Sequence, residues 1–551
     1  MKFKDMAIYQ IYPKSFQDTD GDGIGDLNGI RKHLSYLEKL GVDCLWITPF
    51  FPSHQYDNGY DVDDYCAVNP DFGTMEIFED LIKEAEEHNL SIMLDMVFNH
   101  TSVFHEWFQK ALAGDKYYQD FYYFRKGKEG GPPTNWISKF GGNAWEYVED
   151  LDLYYLHLFH KNQADLNWHN PNVRNVLKKV IEFWIDKGVK GFRFDVINLI
   201  GKPKGEFQDD FEGDGRRFYT DGPYVNDFLK ELVRDTRLPE MITVGEMSST
   251  SPEACIQYTN PSEGELNMVF SFHHLKVDYP GGAKWKLMDP DIKKLEEIFT
   301  EWQLKLQDGG GWSAWFWNNH DQPRAVSRFG DDQKFHNRSG KMLANVVHFL
   351  RGTPYIYQGE EFGMTNGDFQ SIEDFNDVES INYYDILQEE GISPDEALHI
   401  IKERSRDNGR TPVQWNGDKN AGFTTGKPWV KVNENYREIN AEKALEDPDS
   451  LFYHYQKLIR LRKKYPVISE GLYIPAETKT KNIFTHRRKY KEQEILAIHN
   501  FSKEQLEIEF DEENSTLFKD AKVLISNIDR KFFEKKFVLE PFESSIFIKA
   551  H

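Results

Sequence analysis

Cysteine is scarce. Three residues in 551, Cys44, Cys66 and Cys255, are too few and too scattered for a disulfide framework or a metal knuckle. No apolar run approaches the ~20 residues that a membrane span needs, so a membrane partner is not expected. The first residues, MKFKDMAIYQIYP, hold neither an apolar core of signal-peptide length nor a small-residue cleavage site, which favours a cytoplasmic location. Positive charge is also short: the formal net charge is −24, and no basic domain or stripe stands out. This argues against nucleic acid as the main partner, and an anionic ligand must be held by a local basic pocket. No nucleotide-binding glycine loop and no zinc cluster appears, so an organic cofactor is not expected.

Aromatic residues are abundant, at 15%. The most informative stretch is GFRFDVIN, residues 191–198. Arg193 and Asp195 stand two apart in an apolar strand, so they point to one side. A cation and a carboxylate there are costly to bury unless they pair or react. An ordinary buried ion pair would read the same way. The preceding segment, with Val173, Leu177, Val180, Ile181 and Trp184 at helical spacing and Gly188 as the stop, predicts a helix.

Helix–strand steps of this kind recur. Strands are predicted near Ala7–Ile11, Cys44–Ile47, Ile92–Val97, the stretch at 191, Ile242–Val244, Met268–Phe272, Ala314–Trp317 and Tyr355–Tyr357. Eight strands separated by helices make an α/β (β/α)8 TIM barrel. We expect the barrel over 1–100 and 171–464, with an excursion at about 363–450. An inserted B domain is expected over 101–170, and alternating runs such as ILAIHNF and SSIFIKA predict a C-terminal antiparallel β domain over 465–551.

The loop DTDGDGIGD, 18–26, spaces acidic residues like the first part of an EF-hand loop. Asp18, Asp20, Asp22 and Asp26, with a carbonyl from Ile24, form a candidate site for one structural calcium. The bidentate Glu at the twelfth position is missing, so a whole EF-hand is not expected.

Asp195, Glu246 and Asp321 stand at predicted strand ends, the face on which such barrels place their chemistry. Glycoside hydrolysis needs two carboxyl groups, and a third can stabilise positive charge. Arg193 is placed to keep Asp195 ionised and oriented. His100 and His320 can donate to sugar hydroxyls.

The blocks DMVFNH (95–100), GFRFDVIN (191–198), VGEM (244–247) and NNHD (318–321) resemble those of the alpha-amylase superfamily of glycoside hydrolases. The resemblance implies a retaining mechanism, with Asp195 as nucleophile, Glu246 as acid/base and Asp321 as transition-state stabiliser. It implies that Asp57, Tyr60, His100, Gln163, Arg193, His320 and Arg410 grip the transferred glucose. QADLN (163–167) and the acidic loop resemble the oligo-1,6-glucosidase branch, whose members bind a calcium in that loop.

Three stretches, 213–223, 244–251 and 272–285, resemble members of that branch that act on a phosphorylated disaccharide, α,α-trehalose 6-phosphate, giving glucose and glucose 6-phosphate. The third carries His273, His274, Lys276 and Lys284. His273, Lys276 and Lys284 are the candidate phosphate ligands. The alternative is a glucosidase acting on neutral α-glucosides. A barrel that has lost catalysis and serves only in binding is disfavoured by the intact carboxylates.

Overall fold

The computed structural model describes residues 3–476 and 478–550. The C-terminal residue of the expected β domain, His551, lies outside the described residues. Eight strands close into the parallel barrel: β1 (Ile8–Ile11), β2 (Cys44–Ile47), β3 (Ser91–Met96), β4 (Gly191–Phe194), β5 (Ile242–Glu246), β6 (Met268–Phe270), β7 (Ser313–Trp315) and β8 (Thr353–Tyr357). Each strand neighbours the next in sequence, and β8 pairs back on β1. Among the described residues, no helix is long and apolar enough to cross a membrane.

The chain divides into two compact units, residues 46–87 with 91–271, and residues 3–45 and 88–90 with 272–550. In the first unit, β4 is central, with β3 and β5 on its flanks. The helix before it, Pro171–Asp186, starts where Asn170 accepts a bond from the Asn172 amide and Pro171 pre-sets φ. It buries the predicted Val173, Leu177, Val180, Ile181 and Trp184. Each such side chain contributes about 1.5–3 kcal/mol by leaving water.

The long excursion of this unit contains more regular structure than its sequence suggests. Short helices span Glu106–Leu112 and Lys116–Gln119, and a three-stranded antiparallel sheet joins Phe124–Arg125, Leu153–Leu156 and Trp145–Val148. A further pair, His100–Ser102 with Gln163–Asp165, sets His100 opposite Asp165 and Ser102 opposite Gln163. Trp136, Trp145, Leu156 and Phe207 pack into an aromatic core that also takes in Val196.

In the second unit, the excursion after β8 carries helices Val378–Glu389 and Pro394–Arg404 and the short turn Asp407–Arg410. Phe369, Phe375, Leu387, Ile401 and Trp285 form its core. The C-terminal sheet contains β9 (Leu472–Pro475), β10 (Ile483–Tyr490), β11 (Gln493–Asn500), β12 (Lys522–Ser526) and β13 (Ser544–Ala550), ordered β9-β10-β11-β13-β12 and antiparallel throughout.

One layer of this unit is rich in buried histidine. His486 and His499 stack at 5.8 Å, and His486 Nε2 bonds the Phe349 carbonyl at 3.1 Å. His348, on the helix His336–Phe349, packs on Tyr455 with neither ring nitrogen hydrogen-bonded to a described residue. Burial pushes His348 and His486 down to about 3, and His454 and His499 well below the ordinary imidazole range. Imidazoles in the unfolded chain protonate near 6.5, so the unfolded state takes up protons first. Stability therefore falls as pH drops below about 6.5. Replacing His348 by leucine should flatten the decline of unfolding free energy between about pH 6 and 4, by about 1.4 kcal/mol per pH unit. Denaturant titrations at several pH values measure this, and an unchanged slope would rule His348 out as a contributor.

Candidate active site

The first unit gathers its charged residues on one guanidinium. Asp95 on β3 and Arg193 on β4 are register partners, so their side chains emerge together. Arg193 Nη1 donates to Asp95 Oδ1 at 2.6 Å and to Asp195 Oδ1 at 2.7 Å, while Nη2 bonds Glu246 at the end of β5. Arg193 is 2% exposed, and its guanidinium also faces the rings of Trp46 and Tyr60. One cation thus meets three carboxylates.

The excess negative charge has a consequence for protons. Burial pushes the Asp195 carboxyl well up; Arg193 opposes this, while Glu246 and Asp95 add to it. Arg193 thus favours the ionised form of Asp195, as expected, and two further acids share the same guanidinium and oppose it. Asp195 and Glu246 thus sit on the two terminal nitrogens of one guanidinium. Immediately after Asp195, Val196 adopts φ 37°, ψ 40°. This left-handed conformation is a real cost for a β-branched residue. The aromatic core that Val196 joins holds it there.

The expected sugar-gripping residues of this unit form one buried network. Gln163 Nε2 donates to Asp57 Oδ2 at 3.1 Å and to the Tyr60 carbonyl at 3.2 Å. The Tyr60 hydroxyl donates to Asp95 Oδ2 at 2.9 Å. Asn99 Nδ2 lies 3.1 Å from His100 Nδ1, which makes that nitrogen the acceptor and leaves Nε2–H to donate to the Tyr60 carbonyl at 3.0 Å. Burial pushes His100 down to about 3, so the ring is neutral at pH 7. Asn99 is fixed in turn by Asp165 at 2.7 Å and by the buried Lys202 at 2.6 Å. Asp95, Asn99, Asp165 and Lys202 were not singled out from the sequence as site residues. Asp95 and Lys202 carried the available signal, a charge within or beside an apolar run.

In the second unit, His320 and Asp321 follow β7. Gln10 Nε2, from β1, lies 2.8 Å from His320 Nδ1, so the ring turns Nε2 toward Asp321 Oδ2 at 3.3 Å. Arg410 donates to Asp321 Oδ1 at 2.7 Å and to the His320 carbonyl at 2.9 Å. Arg406, another residue missed from the sequence, reaches Asp321 Oδ1 at 3.3 Å and bonds Asp377 at 2.7 and 2.9 Å. Burial would push Asp321 up, but His320, Arg406 and Arg410 outweigh it and hold the carboxyl well below the usual carboxylate range. Asp321 is thus kept anionic.

The loop after β6 does not form the basic cluster that was expected. Burial pushes both His273 and His274 down to about 4, so each is neutral at pH 7. His274 is spent on structure, bonding the Phe316 carbonyl at 2.8 Å, and His273 packs on Trp302 at 5.0 Å. The charges that remain are those of Lys276, exposed and beside His273, and Lys284. Lys284 Nζ bonds Glu379 Oε2 at 2.6 Å rather than His273. The loop is held by Asp278, clamped by Arg328 and Arg404, and by Trp285, which stacks on Tyr383 at 4.9 Å. Glu379 and Tyr383 stand one turn apart on the same helix, so Trp285 places Lys284 against Glu379.

In the acidic loop, carboxylate oxygens of Asp18, Asp20 and Asp22 come within 4.8 Å of one another. Asp18 also accepts from the Gly21 and Gly23 amides, both at 2.8 Å, and from Thr424. Burial raises its pKa, but these bonds outweigh that and the net shift is downward. Asp26 is otherwise employed: it caps the helix Leu27–Lys32, accepting from the Gly29 amide at 2.7 Å and from Thr19. Asp18, Asp20 and Asp22 are the acids whose carboxylate oxygens converge among the described residues. Ile24 stays within the loop, its amide donating to Asp22 Oδ1 at 2.7 Å.

Comparison with known proteins agrees with this arrangement. Residues 10–471 match the family described as alpha amylase, catalytic domain. The trehalose-6-phosphate hydrolase of Bacillus subtilis (strain 168) is 50% identical over 548 residues, covering 99% of this chain and 98% of that protein. An oligo-1,6-glucosidase of Parageobacillus thermoglucosidasius is 45% identical over 555 residues, covering 99% of this chain and 98% of its own. A crystal structure of a mutant Bacillus licheniformis trehalose-6-phosphate hydrolase superposes with a TM-score of 0.96 at 50% identity, covering 100% of both chains. With a closed barrel, carboxylates at the ends of β4, β5 and β7, and this likeness over its whole length, the chain belongs to the alpha-amylase family of glycoside hydrolases.

Proposed function

We propose that the protein hydrolyses α,α-trehalose 6-phosphate to glucose and glucose 6-phosphate by a retaining double displacement. The observation that carries the mechanism is the closeness of Asp195 and Glu246, bonded to the two terminal nitrogens of one guanidinium. An inverting pair stands roughly 6.5–9.5 Å apart to admit a water between acid and base. Adjacent carboxyls instead support a covalent route. In this reading Glu246 protonates the leaving oxygen while Asp195 attacks the anomeric carbon. Glu246 then takes a proton from the water that releases glucose. Asp321, held anionic by its cations, stabilises the oxocarbenium-like transition state.

The full-length likeness to trehalose-6-phosphate hydrolases supports the phosphorylated substrate over a neutral glucoside. So does Lys284, a cation anchored on the loop after β6. With a net charge of −24 the protein repels anions at a distance, so capture rests on short-range contacts. Lys284 is our first choice of phosphate ligand, with His273 as a neutral donor and Lys276 as an outer cation. A doubly charged sugar phosphate does not cross a bilayer unaided, which supports a cytoplasmic location for the enzyme. We also propose one calcium on Asp18, Asp20 and Asp22, with the Ile24 carbonyl, as a structural ion.

Asp195→Asn should fold normally and lose several orders of magnitude in turnover, because binding does not replace a covalent nucleophile. A folded variant with near-native turnover would move the nucleophile elsewhere. Lys284→Met keeps the stem but removes the charge. It should lower kcat/KM for trehalose 6-phosphate, relative to a neutral chromogenic α-glucoside, by roughly tenfold to a hundredfold, the worth of a charge-assisted hydrogen bond. Equal losses on both substrates would make Lys284 a scaffold residue. Chelation should lower the melting temperature before it affects turnover in the cold, since an ion bound only by the folded state stabilises by mass action. A melting temperature unmoved by either chelator or added calcium would remove the ion from the account.

A further inference from the structure

We propose that Glu379 tunes the preference for a phosphorylated substrate by standing between two cations, Lys284 and Arg406. The proposal rests on the reading of Lys284 as a phosphate ligand. Glu379 Oε2 accepts from Lys284 Nζ at 2.6 Å and lies 3.6 Å from Arg406 Nε. The side chains are sheltered, with 22% of Lys284 and 14% of Glu379 exposed, so their interaction is only partly screened by solvent. Arg406 is held by Asp377 and touches Asp321. One carboxylate oxygen therefore separates the phosphate-reading lysine from the guanidinium beside Asp321.

Without phosphate, Glu379 keeps Lys284 oriented and its charge compensated. A neutral sugar then meets a wall with no net attraction for it. A phosphate dianion arriving at Lys284 Nζ meets the negative charge of Glu379 on the same ammonium, and like charges this close oppose binding. The carboxylate relieves the conflict by shifting toward the positive charge of Arg406, whose Nε lies 3.6 Å away and already donates to Asp377. Lys284 then directs its donors to the phosphate. The cost of that exchange sets how strongly phosphate is favoured, which makes Glu379 a specificity-determining residue that acts through Lys284.

The experiment measures kcat and KM on trehalose 6-phosphate and on a neutral chromogenic α-glucoside for the parent enzyme, Glu379→Gln, Lys284→Met and the double variant. Glutamine keeps the shape and removes the competing charge. Glu379→Gln should raise the ratio of kcat/KM for the phosphorylated over the neutral substrate about threefold to tenfold, chiefly through a lower KM for the former. The double variant should match Lys284→Met, because without the lysine there is nothing for Glu379 to compete for. A ratio that falls in Glu379→Gln would mean that the carboxylate only holds the lysine in place, and an unchanged ratio would mean that it does not bear on specificity; either overturns the proposal. If Lys284→Met leaves the ratio unchanged, the phosphate reading of Lys284 itself fails, whatever Glu379→Gln does.

Discussion

A single buried guanidinium, that of Arg193, organises the chemistry of the first unit. Burying it uncompensated would be prohibitive, and burying three carboxylates without it would be worse. Asp95, Asp195 and Glu246 come from three neighbouring strands, β3, β4 and β5, and all close on it. Parallel register makes this possible, since Asp95 and Arg193 lie opposite one another. The arrangement is electrostatically unbalanced by design of the strands, with one positive charge against three acids. The guanidinium favours the ionised form of Asp195, while burial, Glu246 and Asp95 push its carboxyl up. The second unit shows the opposite bias. Around Asp321, His320, Arg406 and Arg410 overcome burial and hold the carboxyl well below the usual carboxylate range. Burial and neighbouring charges thus push the Asp195 carboxyl up and hold the Asp321 carboxyl down.

Much of this was legible in the sequence. The barrel strands are short apolar runs closed by polar residues, and the structure places them within a few residues of expectation. Strand ends carried Asp195, Glu246 and Asp321 in plain view because a charge after an apolar run has few structural uses. The network around His100 was half visible: His100 and Gln163 stood out, while Asn99 and Lys202 did not. What joins them is the antiparallel pairing of 100–102 with 163–165, and a pairing register across sixty residues leaves no local trace.

Other features were hidden for physical reasons. His273 and His274 look basic as letters, yet burial decides their charge, and burial depends on Trp302, Phe299 and Trp315 packing around them. Asp26 was read as a metal ligand because it continues an acidic pattern. Its position just before Leu27–Lys32 is equally the signature of a helix cap, and the structure shows that cap. Glu379 and Arg406 lie far along the chain from Lys284 and Asp321, inside the excursion after β8. The stacking of Trp285 on Tyr383 and the clamping of Asp278 by Arg328 and Arg404 bring the lysine to its partner.

The central claim is that this alpha-amylase family barrel cleaves a phosphorylated α,α-linked disaccharide. The most direct test compares kcat/KM on trehalose 6-phosphate, trehalose and isomaltose under one set of conditions. The account predicts a preference for trehalose 6-phosphate over both neutral sugars, with glucose and glucose 6-phosphate as the products. Equal or better cleavage of isomaltose would contradict it and assign the chain to the glucosidases that act on neutral substrates.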